Sequence, residues 1–287
     1  TDKGASLAFM GWFFFDYLGR PATWLDWKAP EGMENDPQLL SLRKTGLKHH
    51  SLGLVDHDAK QIPLQREFIS PTRCLSVTPV AVHEPGSSVV DGKLVWDYTA
   101  YETKPENALV PLEVIFRFGV PEGSSLLQRT GDAAYCKSLG LSAPPKTGDS
   151  FAVPVVEYST KLETSDLYLP YEEAQRIAGL SDEEFRSLGA LARLISIRLK
   201  DCFAEIGVEL WDGKLEFGFG GKNPSGARDF MLVDSIGPDE LRLIKDGQHL
   251  SKEALRGFYR PTAWYAGLEQ GKKLAKERGE KDWKKIC

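Results

Sequence analysis

"GVELWDGKLEFGFGGKNPSGARDFMLVDSIGPDELR", residues 207–242, is the stretch whose reading decides the fold. In its first half Leu215, Phe217 and Phe219 alternate with Asp212, Lys214 and Glu216, the period-two signature of a strand with one apolar and one charged face. "FMLVDSIGPDELR" follows as a second apolar run, broken by another carboxylate, Asp234. Between them "GFGGKNPSGARDF" is dense in turn formers, which predicts an antiparallel hairpin. Setting Glu216 opposite Asp234 centres the turn on Ser225, inside Asn223-Pro224-Ser225-Gly226. Directly opposed residues share a face, with Cβ atoms roughly 5 Å apart. Two carboxylates so close repel unless a cation or a proton lies between them. Mg²⁺ suits the place, because it is often held by one or two carboxylates plus substrate phosphates. The same spacing is met as well by Glu216 paired with Lys214 or a distant arginine on a solvated face, and a slip of one residue separates the acids.

Outward from the hairpin, Ser181 and Glu184 form a capping-box pattern at the start of a helix. Phe185, Leu188, Ala192, Ile195, Leu199, Cys202/Phe203 and Ile206 give it one buried stripe, and Gly207 can end it. "ALVPLEVIFRFGV" and "FAVPVVEYSTK" read as strands, as do "LSVTPVAVH" and "KLVWDYTAY", with "EPGSSVVDG" as the turn joining the last two. Residues 22–65 read as irregular, and the chain beyond Ser251 as helices broken near Pro261. Strands and helices without a regular βαβ rhythm predict an α+β fold in two lobes, divided as 1–109 and 110–287.

The 287 residues are 41% hydrophobic and 27% charged, an ordinary globular balance with room for a real core. A net charge of -5 argues against a nucleic-acid surface. Cys74, Cys136, Cys202 and Cys287 form no C-x-x-C pair, which fits a reducing cytoplasm better than a disulfide framework. "ASLAFMGWFFFDYLG" is cut short of a membrane span by Asp16 and Gly19-Arg20-Pro21, lacks the marks of a signal peptide, and reads as a buried helix. His49, His50 and His57 lie on irregular chain and make a poor metal site.

Anion binding has better candidates. Arg117 is embedded in an apolar strand, so an external anion or an acid from another strand must balance it. The "EGSS" loop that follows offers Ser124 and Ser125 hydroxyls for a phosphate. Arg242 falls just past the acid-bearing strand, and Ser159, Thr160 and Lys161 cluster at the end of another.

Taken in order, "PLEVIFRFGVPEGSS", "YSTKLE", "GVELWDGKLEFG", "LVDSIGPDELR" and "SKEALR" resemble the SAICAR synthetase family over nearly the whole chain. The resemblance implies a two-lobed fold of antiparallel sheets flanked by helices. It also implies an ATP- and Mg²⁺-dependent ligase of de novo purine biosynthesis, joining carboxyaminoimidazole ribonucleotide to L-aspartate through an acyl phosphate. Carried over, Glu216 and Asp234 hold Mg²⁺, Asp212 and Lys214 are the catalytic pair, and Arg117, Ser124 or Ser125, and Arg242 take the ribonucleotide. Lys161, Lys252 and Arg256 receive the amine substrate. The implied partners are small molecules, namely ribonucleotide, amino acid and ATP, with no nucleic acid or membrane, and a homo-oligomer is left open. "TDKGASLAF" resembles an internal segment of the family, so the family's first β-hairpin, which embraces ATP, is expected to be lacking. Leu167 and Tyr168 stand where the family carries a His-Asp pair, and Ser235 where it often has Glu. Two alternatives therefore accompany the leading reading: a paralogous ligase for another amine or azole ribonucleotide, and a non-catalytic nucleotide-binding protein.

Overall fold

The computed structural model describes residues 3–62, 72–91, 93–163, 165–223, 225–278 and 284, leaving aside the side chains of 93, 253, 255, 256 and 276. The chain opens with α1 (Lys3–Gly19), α2 (Ala22–Leu25) and α3 (Pro37–Thr45). Phe14, Phe15 and Leu18 are buried as expected, while Phe9 and Phe13 stay exposed on the outer side of α1. Residues 22–62 are more regular than their composition suggests, and 63–65 lie outside the described residues. Asp36 caps α3 by accepting from the Gln38 N–H, and Pro37 stands in the first turn, where its missing N–H costs nothing.

Next come β1 (Ser51–Val55), β2 (Cys74–Val77), β3 (Gly86–Val90), β4 (Lys93–Asp97) and α4 (Thr99–Glu102). β1 pairs with β2, and β3 with β4. This corrects several expectations. The strand expected over "LSVTPVAVH" ends at Val77 and pairs with β1, and "KLVWDYTAY" gives way to helix at Thr99. "GSSVV" is a strand rather than a turn, with the reversal after Val90, where Asp91 takes a φ of 51°. The β-branched Val89 and Val90 favour the pleat, and Asp tolerates the left-handed turn.

The rest of the chain builds one sheet. It runs β5 (Leu109–Gly119), α5 (Ala133–Ser138), β6 (Ser150–Thr160), β7 (Tyr168–Leu169), α6 (Tyr171–Ile177), α7 (Asp182–Ala204) and β8 (Glu209–Lys222). Then follow β9 (Arg228–Val233), β10 (Leu241–Lys245), β11 (Gln248–His249), α8 (Lys252–Tyr259) and α9 (Ala263–Arg278). The antiparallel order is β11-β10-β8-β5-β6-β7. β8 is long enough that one of its edges serves β10 near Asp212 and β9 beyond Glu216.

α7 covers one face of this sheet. Leu188, Ala192, Ile195, Leu199 and Phe203 are buried, as are Leu112, Val114, Phe116, Val156, Leu215 and Phe217 of the strands. Each such side chain contributes about 1.5–3 kcal/mol through removal from water. The capping box forms, with the Glu184 N–H on Ser181 Oγ and the Ser181 N–H on Glu184. Ile206 departs from the expected stripe: the helix stops at Ala204 and Ile206 is exposed. Gly213 is required on β8, since a Cβ there would meet the Phe116 ring at 2.6 Å. No described helix is long and apolar enough to cross a membrane.

Candidate active site

The opposite sheet face carries charge, and the register lays it out in rows. Glu113 of β5 lies between Glu216 of β8 and Ser159 of β6. Ile115 lies between Lys214 and Glu157, and Arg117 between Asp212 and Val155. Arg242 of β10 faces Asp212 from the other side. Over this face opens a cleft of about 330 Å³, lined among others by Glu113, Arg117, Ser125, Lys214, Arg242 and Lys252. Because alternate residues share a face, three neighbouring strands present polar groups here and apolar ones to α7.

At one end guanidinium groups dominate. Arg117 is almost fully buried, and its Nε donates to Glu157 at 2.5 Å. Its Nη atoms reach Asp212 at 3.4 Å, Ser125 Oγ at 3.4 Å and Tyr168 Oη at 3.1 Å. An acid from a neighbouring strand therefore balances Arg117. Glu157 also accepts from Arg129 at 2.7 Å and from the Tyr135 hydroxyl at 2.7 Å. Burial works against its ionised form, but Arg117 and Arg129 outweigh that and hold it below the usual glutamate range. The Arg129 guanidinium lies 3.4 Å from the Tyr168 ring centroid. Ser124 is buried and caps the following 3-10 turn by accepting from the Leu126 N–H, whereas Ser125 lines the cleft. Arg242 reaches Asp212 at 3.3 Å, yet its Nε is buried with no hydrogen-bond partner among the described residues, and the same holds for Glu240 Oε2 and Ser251 Oγ. Such orphaned atoms beside a cleft are suited to a polar ligand.

Carboxylates dominate the other end. Glu113 and Glu216 are buried side by side, and two ammonium groups answer them. Lys214 donates to Glu113 at 2.5 Å, and Lys161 to Glu216 at 2.6 Å, with Glu113 3.5 Å away. The expected register is off by one here, since Glu216 faces Val233 rather than Asp234. The cause is a bulge between Phe219 and Lys222: the Lys222–Arg228 pairing keeps the expected register, and the extra residue among the glycines shifts everything beyond it. Asp234 nevertheless joins Glu216. It leaves the strand with a φ of 63°, a conformation Asp tolerates, and its carboxyl comes within hydrogen-bonding reach of Glu216. His50 Nε2 lies 3.1 Å from the Asp234 carbonyl and steadies that turn. Burial first, and then Asp234, push the Glu216 carboxyl above its ordinary range, against the pull of Lys161.

The structure thus brings together Arg117, Ser125, Asp212, Lys214, Arg242 and Lys252 around the cleft; Glu216, Asp234 and Lys161 do not line it but adjoin its acid end through Glu113. Arg256 belongs to α8, but its side chain lies outside the described residues, as does Pro224 of the hairpin turn. Glu113, Glu157, Arg129 and Tyr135 add partners that spacing had not supplied. Glu113 and Glu157 nonetheless carry a signal, being isolated acids at alternate positions of apolar strands. His57 is exposed beside Asp58, and no group of three or more metal-ligating side chains occurs among the described residues. The pair Glu216 and Asp234 fits a cation completed by phosphate oxygens, since the Glu216 carboxylate already binds the Lys161 ammonium and Asp234 lies beside it.

Comparison with known proteins supplies a family. The model for SAICAR synthetase matches residues 102–270. A protein of Archaeoglobus fulgidus, provisionally named a phosphoribosylaminoimidazole-succinocarboxamide synthase, is 36% identical over 246 residues, covering 85% of this chain and 67% of that protein. The synthase of Streptococcus agalactiae serotype V is 33% identical over 150 residues, 52% of this chain and 56% of that enzyme. The chain thus spans little more than half to two thirds of these relatives. Among solved structures, a SAICAR synthetase in complex with ADP aligns over 98% of this chain and 83% of its own, with a TM-score of 0.52 and 23% identity. The SAICAR synthetase of Pyrococcus horikoshii OT3 aligns over 98% and 85%, with a TM-score of 0.53 and 22% identity.

Proposed function

The chain belongs to the SAICAR synthetase family, ligases of purine biosynthesis, and on that premise we propose that it joins carboxyaminoimidazole ribonucleotide to L-aspartate at the expense of ATP. One observation carries the reading: a single cleft has a carboxylate-rich end and a guanidinium-rich end, at Glu113 and Arg117, roughly 13 Å apart along one strand. The first suits a cation with nucleotide phosphates, the second the phosphate of a ribonucleotide.

Glu216 and Asp234 would hold Mg²⁺, which when bound screens the nucleotide's phosphate charge. Arg117, Ser125 and Arg242 orient the ribonucleotide phosphate, with Arg117 fixed in place by Glu157. Lys214 from the acid end and Asp212 from the guanidinium end flank the substrate carboxylate, which ATP converts to an acyl phosphate. The aspartate amine then attacks the acyl carbon and phosphate leaves. Lys161, Lys252 and Arg256 receive the charged groups of the amine substrate. Catalysis here is a matter of positioning and charge neutralisation, and no protein nucleophile is needed. A division into lobes at 109/110 and a cytoplasmic location, supported by the free Cys74, Cys136 and Cys202, belong to the same proposal.

The test is ADP formation with carboxyaminoimidazole ribonucleotide, Mg²⁺-ATP and either L-aspartate or no amine. Aspartate-dependent turnover is the expected result, and its absence in folded protein overturns the reading. Tyr168 favours a second reading, because its hydroxyl and ring are both engaged by arginines at the cleft. Turnover with another amino acid in the same assay, but not with aspartate, would establish a paralogous ligase.

A further inference from the structure

Lys161 stands just past the end of β6, with its side chain 28% exposed, and reaches inward to two carboxylates that are 6% and 7% exposed. We propose that Lys161 is the resident counter-ion of the acid end. Its ammonium neutralises Glu216 and Glu113 in the unloaded cleft and is displaced from Glu216 by an incoming divalent cation. This rests on the reading of Glu216 and Asp234 as the metal carboxylates.

Three observations support it. First, the two cations compete for one atom: Lys161 Nζ lies 2.6 Å from Glu216 Oε1. A divalent ion on that carboxylate brings two more positive charges against the ammonium, and like charges at contact distance in a half-buried site cannot both stay. Second, the other cation is committed. Lys214 is held by Glu113 at 2.5 Å, so Glu113, Glu216 and Asp234 share only two ammonium groups among the described side chains of this cluster. Third, only one partner is free to move. Glu216 is locked in a central strand between β5 and β9, whereas Lys161 has a four-carbon stem on a bend beside solvent. When the metal arrives, the ammonium gives way rather than the carboxylate, and a cationic group is released into the cleft.

The test is binding of Mn²⁺ alone, without nucleotide, followed by electron paramagnetic resonance of the free ion. Lys161→Met, which keeps length and removes charge, is expected to bind Mn²⁺ about tenfold more tightly than the wild type. Lys161→Arg is expected to stay within a few-fold of it. Equal or weaker binding by Lys161→Met, with Glu216→Gln losing the ion, overturns the counter-ion role and leaves the metal reading intact. Wild-type binding by Glu216→Gln instead overturns the metal reading, and the counter-ion role with it. A measurement on the unaltered chain guards against misfolding of the variants. Labelling of Lys161 by an amine-reactive reagent, read by mass spectrometry, is expected to rise several-fold when Mn²⁺ is added, and an unchanged rate overturns the proposal.

Discussion

The two ends of the cleft are built from the same strands and solve opposite problems. At the guanidinium end Arg117, Arg129 and Arg242 meet Glu157 and Asp212, and the contacts interlock. Among the described contacts, Glu157 holds two arginines and a tyrosine, Asp212 reaches Arg117 and Arg242, and Tyr168 touches both Arg117 and Arg129. At the acid end Glu113, Glu216 and Asp234 meet, among the described side chains, the ammonium groups of Lys161 and Lys214, with one contact stretched to 3.5 Å. The first is a cross-braced network whose surplus is positive. The second is loosely balanced with a negative surplus and a lysine at its centre. A cross-braced guanidinium network and a sparsely paired acid cluster thus share one face, and the difference lies in how many partners each charge has.

The largest expected effect falls at the responsive end. Glu216→Gln should lower ADP formation about 100-fold or more while the melting temperature holds, because on the proposed reading its carboxylate holds the cation. Turnover within twofold of the wild type would erase the distinction between the ends. At the braced end the loss should appear first as stability. Arg117→Met leaves Glu157 with Arg129 as its remaining charged partner and should cost about 3 kcal/mol in urea unfolding. A cost near zero would show that the network is not a brace.

A third ion pair, away from the cleft, sharpens the comparison as a purely structural reference. Arg228 and Glu184 are both buried, bonded at 2.8 Å, and tie the start of α7 to β9. Burial works against the Glu184 carboxylate, but Arg228 and the backbone N–H groups of Ser181 and Arg228 outweigh it and bring it down to about 2. A carboxyl lowered by folding binds fewer protons in the native state than in the unfolded one. Its stabilisation is therefore complete above the ordinary value of 4.5 and is lost as pH falls from there toward about 2. Glu184→Gln should flatten the fall in melting temperature over that window, and an unchanged slope would place the acid sensitivity elsewhere. Smallest of all, Ser125→Ala removes a single 3.4 Å contact to Arg117 and should raise the ribonucleotide KM only a few-fold, since one such bond is worth about 1 kcal/mol.

Local rules were legible in the sequence and distant ones were not. Capping, strand alternation and the break near Pro261 depend on neighbours in sequence, and they appear where expected. The seat of Arg117 could be narrowed to an anion or an acid from another strand, but not to Glu157, because nothing in either strand states that β5 lies beside β6. The hairpin shows the same limit within a few residues. Its turn was found, but a bulge among Gly220 and Gly221 shifted the register by one, and Asp234 rejoined Glu216 only through its left-handed backbone. The family resemblance pointed to Arg117 and Lys214 but not to Glu157 and Glu113, which hold them. Glu113, Glu157 and Arg129 act through partners, and a partner exists only once strands are adjacent.

The strand order has a consequence for how the chain acquires its activity. β5 pairs with β6 on one side and with β8 on the other, and α5, β6, α6 and α7 all intervene between β5 and β8 in sequence. Neither end of the cleft is encoded in a contiguous segment. During synthesis Glu113 emerges early and must wait in a partly formed sheet until β8 leaves the ribosome to supply Glu216 and Asp212. Pairings so far apart in sequence make folding slow and leave the β5 edge open to other strands meanwhile. The cleft is therefore completed only after β8 joins β5, and chains arrested before Val233 would carry much of the described core without Asp234 beside Glu216.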